Sequence, residues 1–245
     1  MPDKRQHRGA NPEDVTAFAE SALPVLTEAV SDLSWLLTRG YGERSTKKLV
    51  GDRFALTERQ RIAMRRCACS DTDLQSRISR LVSSTSVGGV PVRIDGYNVL
   101  TTVEAALGGG VVLVGRDGCY RDMASMHGNF KRVAETPVAI RLIGQTLARL
   151  GTGPAHWLLD SPVSNSGRLK QLIAECAEEA GWAWTVELVP DPDRVLIEAG
   201  PAVASADSGV LDRCGSWINL AREVVVESVP DAWIVDLGHS IPSVA

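Results

Sequence analysis

The stretch VRIDGYNVL, residues 92–100, is where the pattern of this chain changes. Val92–Asp95 is a short apolar run that ends at an acid and a glycine, as a buried strand does when it leaves a sheet. WLLD (157–160) repeats that form after a helical pattern over about 136–150, and residues 202–206 repeat it before Asp207. Helical spacing over 166–180, a strand at 185–189 and candidate strands at 217–220 and 233–235 complete the alternation. Strands alternating with helices predict an α/β fold, a mainly parallel sheet flanked by helices. In such sheets ligands bind beyond the carboxyl ends of the strands. Asp95, Asp160 and Asp207 all fall at such ends.

Upstream of residue 92 the periodicity is helical throughout. Residues 1–11 read as a polar tail, and Asn11-Pro12-Glu13-Asp14 reads as an N-cap with a proline at the first helical position. Apolar residues at 15, 18, 19, 22, 23, 26, 29, 30, 33, 36 and 37 form a helical stripe, which Pro24 should kink or split. Ser45 would cap a short helix through Val50, stopped by Gly51. Thr57-Glu58-Arg59-Gln60 is a capping box for a third helix to about Cys69. A fourth, over about 71–83, places Leu74, Ile78, Leu81 and Val82 on one side. SSTSVGGVP (83–91) has the composition of a linker. The expected organisation is a small all-α, partly basic module over 1–88 and an α/β domain over 89–245.

Composition sets the class. The 245 residues are 44% hydrophobic with a net charge of −4, which excludes disorder for the chain as a whole. No apolar run approaches the roughly 18–20 residues of a membrane span, and the first residues lack a signal-peptide core. Five scattered cysteines (67, 69, 119, 176, 214) fit reduced thiols, and Cys67-x-Cys69 has no second pair for zinc. The expectation is a cytoplasmic protein without a membrane partner; an oligomer is compatible with it. Aromatics at 5% argue against a stacking platform for single-stranded bases. Charge divides unevenly: residues 1–90 carry +3 and residues 91–245 carry −7. Residues 39–66 hold nine basic groups, Arg61, Arg65 and Arg66 among them, against three acids. That run is either a solvated helical face or a phosphate-binding surface.

Three strands ending in aspartate would crowd carboxylates at one sheet edge, and Asp212 follows Asp207 closely enough to join them. Crowded carboxylates call for a cation, and hard oxygen ligands select Mg²⁺ or Mn²⁺. Such ions support phosphodiester hydrolysis. Each aspartate taken singly serves equally as a helix cap. GRDGCYRDMASMHGNFKRV (115–133) reads as an insertion between the first strand and the next helix. Its Arg116, Arg121, Lys131 and Arg132 are candidate phosphate contacts and His127 a candidate proton shuttle; a surface loop of local Asp–Arg pairs is the alternative. Ser164, Asn165, Ser166 and Arg168 form a polar turn opening a helix, suited to phosphate or to plain capping. There is no G-x-G-x-x-G, Walker loop or G-x-S-x-G elbow.

RIDGYNVL (93–100), WLLDSPVSNSG (157–167) and VASADSGVLDRC (203–214), in that order, resemble the acidic motifs of the PIN-like nuclease superfamily, the first being closest to its NYN branch. The resemblance covers about 120 residues. It implies a PIN-like sheet and a divalent-metal-dependent nuclease acting on RNA rather than DNA through metal-activated water. Asp95, Asp160, Asp207 and Asp212 match the metal-binding acids, and Asn98 the turn residue that orients the first of them. No acid of this chain aligns with the one that many such domains carry on a middle helix. The whole chain also resembles an uncharacterised prokaryotic family through LLTRGYGERSTKKLVGDRFALTERQR (36–61), which implies no activity. An alternative of another class is a regulatory nucleic-acid-binding protein, with residues 45–69 as helix, turn, helix.

Overall fold

Apolar runs that alternate with helices build a sheet buried on both faces. The computed structural model describes residues 7–123, 130, 132–198 and 200–238. Its strands are β1 (Val92–Asp95), β2 (Val111–Val114), β3 (Tyr120–Asp122), β4 (Ala155–Asp160), β5 (Trp184–Val189), β6 (Ala202–Ala204), β7 (Trp217–Ile218) and β8 (Trp233–Asp236). Five of them form one sheet in the order β5-β4-β1-β6-β7, every pair parallel. The central β1 pairs Asp95 with Leu158 of β4 and Ile94 with Ala204 of β6. A second sheet has the order β3-β2-β8, with β2 antiparallel to β3 and parallel to β8.

The helices are α1 (Asp14–Ala17), α2 (Leu23–Thr38), α3 (Glu43–Arg53), α4 (Glu58–Cys67), α5 (Asp71–Arg80), α6 (Gly96–Leu107), α7 (Thr136–Arg149), α8 (Ser166–Ala180), α9 (Pro192–Leu196), α10 (Ser208–Leu211) and α11 (Leu220–Ser228). Side chains alternate across the sheet. Trp157 and Leu159 join a core with Leu100 and Val103 of α6, Ile140 and Ile143 of α7 and Ile173 of α8. Leu158 and Val203 point the other way, to Leu196 of α9 and to Val210 and Leu211 of α10. Burying each such large side chain contributes about 1.5–3 kcal/mol. Among the described residues no helix is long and apolar enough to cross a membrane, and all five cysteines are free and buried.

Residues 14–80 are all helical, as expected, and close a further core over the small sheet. Leu26, Val30 and Leu33 of α2 and Ala63 and Met64 of α4 pack with Val111 and Leu113 of β2 and Val235 of β8. The linker-like segment is held too. Val82 N donates to Trp217 O at 2.8 Å, and Val87 is buried in the main core.

Local expectations fare unevenly. Pro24 splits the first helical stripe: α1 ends at Ala17, a 3₁₀ turn covers Glu20–Ala22, and Pro24 sits in the first turn of α2. The first helix begins at Asp14 rather than after Asn11, whose side chain instead accepts from Glu13 N at 3.0 Å. The tail is less free than its polarity suggests, because Arg8 Nε donates to the fully buried Glu104 at 2.5 Å. α3 starts before Ser45 and runs through Gly51. A Cβ at Gly51 would lie 2.1 Å from an Arg61 guanidinium nitrogen, so the glycine makes room for a side chain instead of stopping the helix. The left-handed residue that ends it is Ala55, with φ 48°, and Leu56 N returns to Gly51 O at 2.9 Å. The capping box holds: Gln60 N donates to Thr57 Oγ1 at 3.3 Å and Thr57 N to Gln60 Oε1 at 3.0 Å.

Candidate functional site

Asp95 ends β1 and caps α6. Its carboxylate accepts from Asn98 Nδ2 at 2.6 Å, from Ser205 Oγ at 2.7 Å and from Asn98 N at 3.5 Å. Gly96 lets the chain turn there, since a Cβ would meet Leu159 Cδ2 at 2.5 Å and Leu158 O at 2.9 Å. Burial pushes the Asp95 carboxyl up to about 6, against the hydrogen bonds from Ser205 and Asn98 and with the help of Asp193 and Asp207. Asp207, after β6, caps α10 by accepting from Val210 N at 3.1 Å, while its own N–H donates to Ser205 Oγ at 3.0 Å. Ser205 thus joins the first and third expected acids directly. Asp160 ends β4 on the other side of β1. Its Oδ1 is buried without a hydrogen-bond partner among the described residues. Burial, then Asp191, raises its carboxyl above the usual range.

Two acids that sequence reasoning passed over belong to the same edge. Asp191 and Asp193 follow β5, and Asp191 caps α9 through Arg194 N at 3.3 Å. Burial raises the Asp193 carboxyl, with Asp207 and Asp191 adding to it and Arg213 opposing. The signal that would have found them is close to the one already used, an acid shortly after a strand, here past Pro190. Adjacent strands β5, β4, β1 and β6 therefore each deliver acid to one edge. Among the described residues no three carboxylates, imidazoles or thiolates already form a metal-ligand set. Mg²⁺ is commonly held by one or two carboxylates, several waters and the substrate's own phosphate. The Asp95–Asp207 pair and the unpartnered Asp160 oxygen fit that looser requirement.

Asp212 is placed differently. It accepts from Arg77 Nε at 2.7 Å, and Arg77 also donates to Asp117 at 2.7 Å. Asp117 in turn receives both prongs of Arg121 at 2.7 and 2.8 Å, and Arg121 Nε donates to Ala206 O at 2.8 Å. Arg77, Asp117 and Arg121 are all buried. This chain of charges ties α5 to the β2–β3 turn and to the residue before Asp207. Burial favours a neutral Asp117, yet Arg121 and Arg77 hold its carboxyl well below the usual range.

A cleft of about 590 Å³ opens between the helical region and the sheet edge. Lys47, Arg65 and Arg66 line one wall, and Asn98, Asp207 and Asp212 line the other. Arg61 does not line this cleft; it donates to Leu56 O and Asp52 at 2.9 Å and lines a neighbouring pocket with Lys47 and Arg65. The expected insertion over 115–133 resolves in part into β3, antiparallel to β2. Arg116 does not line this cleft and donates to Cys69 O at 2.7 Å and to Asp71 at 2.8 Å. Arg121 reaches the cleft with its donors already committed. Lys131 and His127 lie outside the described residues. Ser166 is buried and Ser164 exposed. Asn165 takes φ 68° at the start of α8 and shares a separate cavity with Arg132 and Arg168.

Comparison with known proteins adds family without activity. Residues 84–223 match a family model described as a domain of unknown function (DUF5616). Residues 25–80 match one described as a protein of unknown function (DUF434). The uncharacterized protein MJ0935 of Methanocaldococcus jannaschii is 28% identical over 186 residues, 76% of this chain and 88% of its own length. The resemblance to an uncharacterised family is thereby borne out. No solved structure matches.

Proposed function

We propose that this chain, which belongs to the DUF5616 family, is a divalent-metal-dependent nuclease that hydrolyses RNA at the carboxyl edge of its parallel sheet. The observation that carries the reading is the placement of Asp95, Asp160 and Asp207 on the adjacent strand ends β1, β4 and β6, with two of the three carboxyls raised by burial and neighbouring acids. The motif resemblance to PIN-like nucleases supports it. Asp95, Asp207 and Asp160 are the groups that would hold Mg²⁺ or Mn²⁺. A cation there would neutralise the carboxylates and the phosphodiester oxygens and make water a better nucleophile. Asn98 and Ser205 fix the Asp95 carboxylate by donating to it. Lys47, Arg65 and Arg66 line the cleft that Asn98 and Asp207 also line and suit the phosphates of a bound strand, Lys47 beside its ion-pair partner Glu43 and Arg66 while donating to Asp122 O at 2.7 Å. Asp212, engaged by Arg77, shapes the cleft wall.

The second reading is a DNA-groove module built from α3 and α4. α4 buries Ala63, Met64 and Cys67, and its Arg65 and Arg66 share a cleft with Asp207. That arrangement favours one site served by both regions over an independent recognition helix. Incubating the full chain and Asp95→Asn with labelled RNA, with and without Mn²⁺, tests the proposal. Cleavage by the wild type that needs the ion and is lost in Asp95→Asn is the expected result. Equal cleavage by both proteins, or binding of one duplex sequence without any cutting, would overturn it.

A further inference from the structure

Cations stand on both sides of the acidic edge. Toward β6 the cleft carries Lys47, Arg65 and Arg66. Toward β4, the turn after Asp160 leads into α8, where a cavity of about 320 Å³ opens between Phe130, Arg132, Asn165, Arg168, Leu169 and Leu172. Phe130 and Leu169 form a buried floor. Arg132 and Arg168 are exposed, and their guanidinium groups enter no hydrogen bond or ion pair among the described residues. An apolar cavity of this size with a few convergent polar groups is the usual form of a small-ligand site. Charge selects the occupant: two guanidiniums without a counter-ion among the described residues suit phosphate, and the apolar floor suits a flat base. The Phe130 ring packs on Tyr97 at 5.3 Å, and Tyr97 lies two residues after Asp95. The cavity wall is therefore tied to the acids.

We propose that the site takes one strand of RNA lying across the whole edge, with a nucleotide seated in the Phe130–Arg168 cavity and phosphates beyond the acids held by Lys47, Arg65 and Arg66. The inference rests on the nuclease reading for the nature of the strand. With contacts on both sides of Asp95 and Asp160, the phosphodiester at the acids is internal. Hydrolysis there adds water across an internal P–O bond, leaving a phosphomonoester on one fragment and a hydroxyl on the other. No chain end is required.

Binding is measured first in EDTA, by fluorescence anisotropy of labelled oligouridylates of two lengths, a tetranucleotide and a hexadecanucleotide. For the longer one, Arg132→Gln with Arg168→Gln should weaken binding and flatten the salt dependence by about 1.4 logarithmic units, about 0.7 for each lost contact to a single strand. Arg65→Gln should flatten it by a further 0.7 or so, independently. The tetranucleotide should respond to one station only. Both arginines are exposed, so the variants are expected to fold, which circular dichroism checks. An unchanged salt slope in the double variant would overturn the inference. Wild-type protein is then given Mn²⁺ with linear and circular RNA. Cleavage of the circle supports the inference; cleavage of the linear RNA alone overturns it and leaves the nuclease reading standing. No cleavage of either, with two-station binding intact, discards the nuclease reading and retains the two-station surface.

Discussion

Asp95 and Asp117 are both buried, 5% and 4% exposed, and each sits where the chain leaves a strand. Their charges meet opposite fates. Burial disfavours ionisation at both, and at Asp117 it is outweighed by Arg121 and Arg77, which hold the carboxyl well below the usual range. At Asp95 only a serine hydroxyl and an asparagine amide offset burial, while Asp193 and Asp207 add to it, and the carboxyl rises to about 6. One aspartate is neutralised by the protein itself and welds α5 to the α/β region. The other is left with uncompensated charge, which is what a cation-binding edge requires.

The largest effect expected from breaking this contrast is at Asp117. Asp117→Asn leaves two buried guanidiniums facing a neutral amide and should cost about 3–5 kcal/mol in urea unfolding at pH 7. Because the folded value is depressed, the stabilisation is present above the unfolded value of 3.8 and is lost as pH falls below it. The gap between wild type and variant should narrow there; a gap that is constant with pH would show that Asp117 acts through packing alone.

Asp95 should behave with the opposite sign. The unfolded chain releases this proton near 3.8 and the folded chain keeps it to about 6, so stability falls as pH rises through that window. The full cost at pH 7 is of the order of 3 kcal/mol, at 1.36 kcal/mol per unit. Asp95→Asn, which sacrifices part of the hydrogen bonding, should melt at or above the wild-type temperature at pH 7 and lose that advantage near pH 4. Mn²⁺ should raise the wild-type melting temperature and do much less for the variant. A variant that is clearly less stable at pH 7, with an equal Mn²⁺ response, would identify Asp95 as an ordinary helix cap.

Smaller effects sharpen the comparison. Ser205→Ala removes the hydroxyl shared by Asp95 and the Asp207 amide, and should cost about 1 kcal/mol. It should also shift the Asp95 pH window upward, since that hydrogen bond favours the ionised form; an unmoved window in pH-dependent melts would separate Ser205 from the site. Smallest is Arg61→Gln, which should leave the salt dependence of RNA binding unchanged. Arg61 is spent on Leu56 and Asp52 and lies outside the cleft that holds Arg65 and Arg66. A flattened slope would return all three arginines to one phosphate-binding face.

What could be read without coordinates follows from range. The Thr57–Gln60 capping box and the break at Pro24 depend on groups within one helical turn, so their residues suffice. The strand-then-acid pattern at 95, 160 and 207 survives because a buried parallel strand is a short apolar run whatever surrounds it. By contrast α6, over 96–107, gives no amphipathic period: Thr101, Thr102 and Glu104 are buried along with Val99, Leu100 and Val103. A helix buried all round carries no stripe to detect. Asp191 and Asp193 were legible by the same rule as the other acids and lie just past the strand end. Arg77 stands among Gln75, Ser76, Ser79 and Arg80, and nothing in that neighbourhood distinguishes it from a solvated arginine. Its partners are 40 and 135 residues away, at Asp117 and Asp212. The sequence by itself determined the parallel α/β order and which acids end its strands, because those depend on local periodicity. Which acids keep their charge uncompensated, and which are neutralised by arginines from another part of the chain, was decided only by tertiary structure, because burial and Coulomb energy depend on neighbours in space.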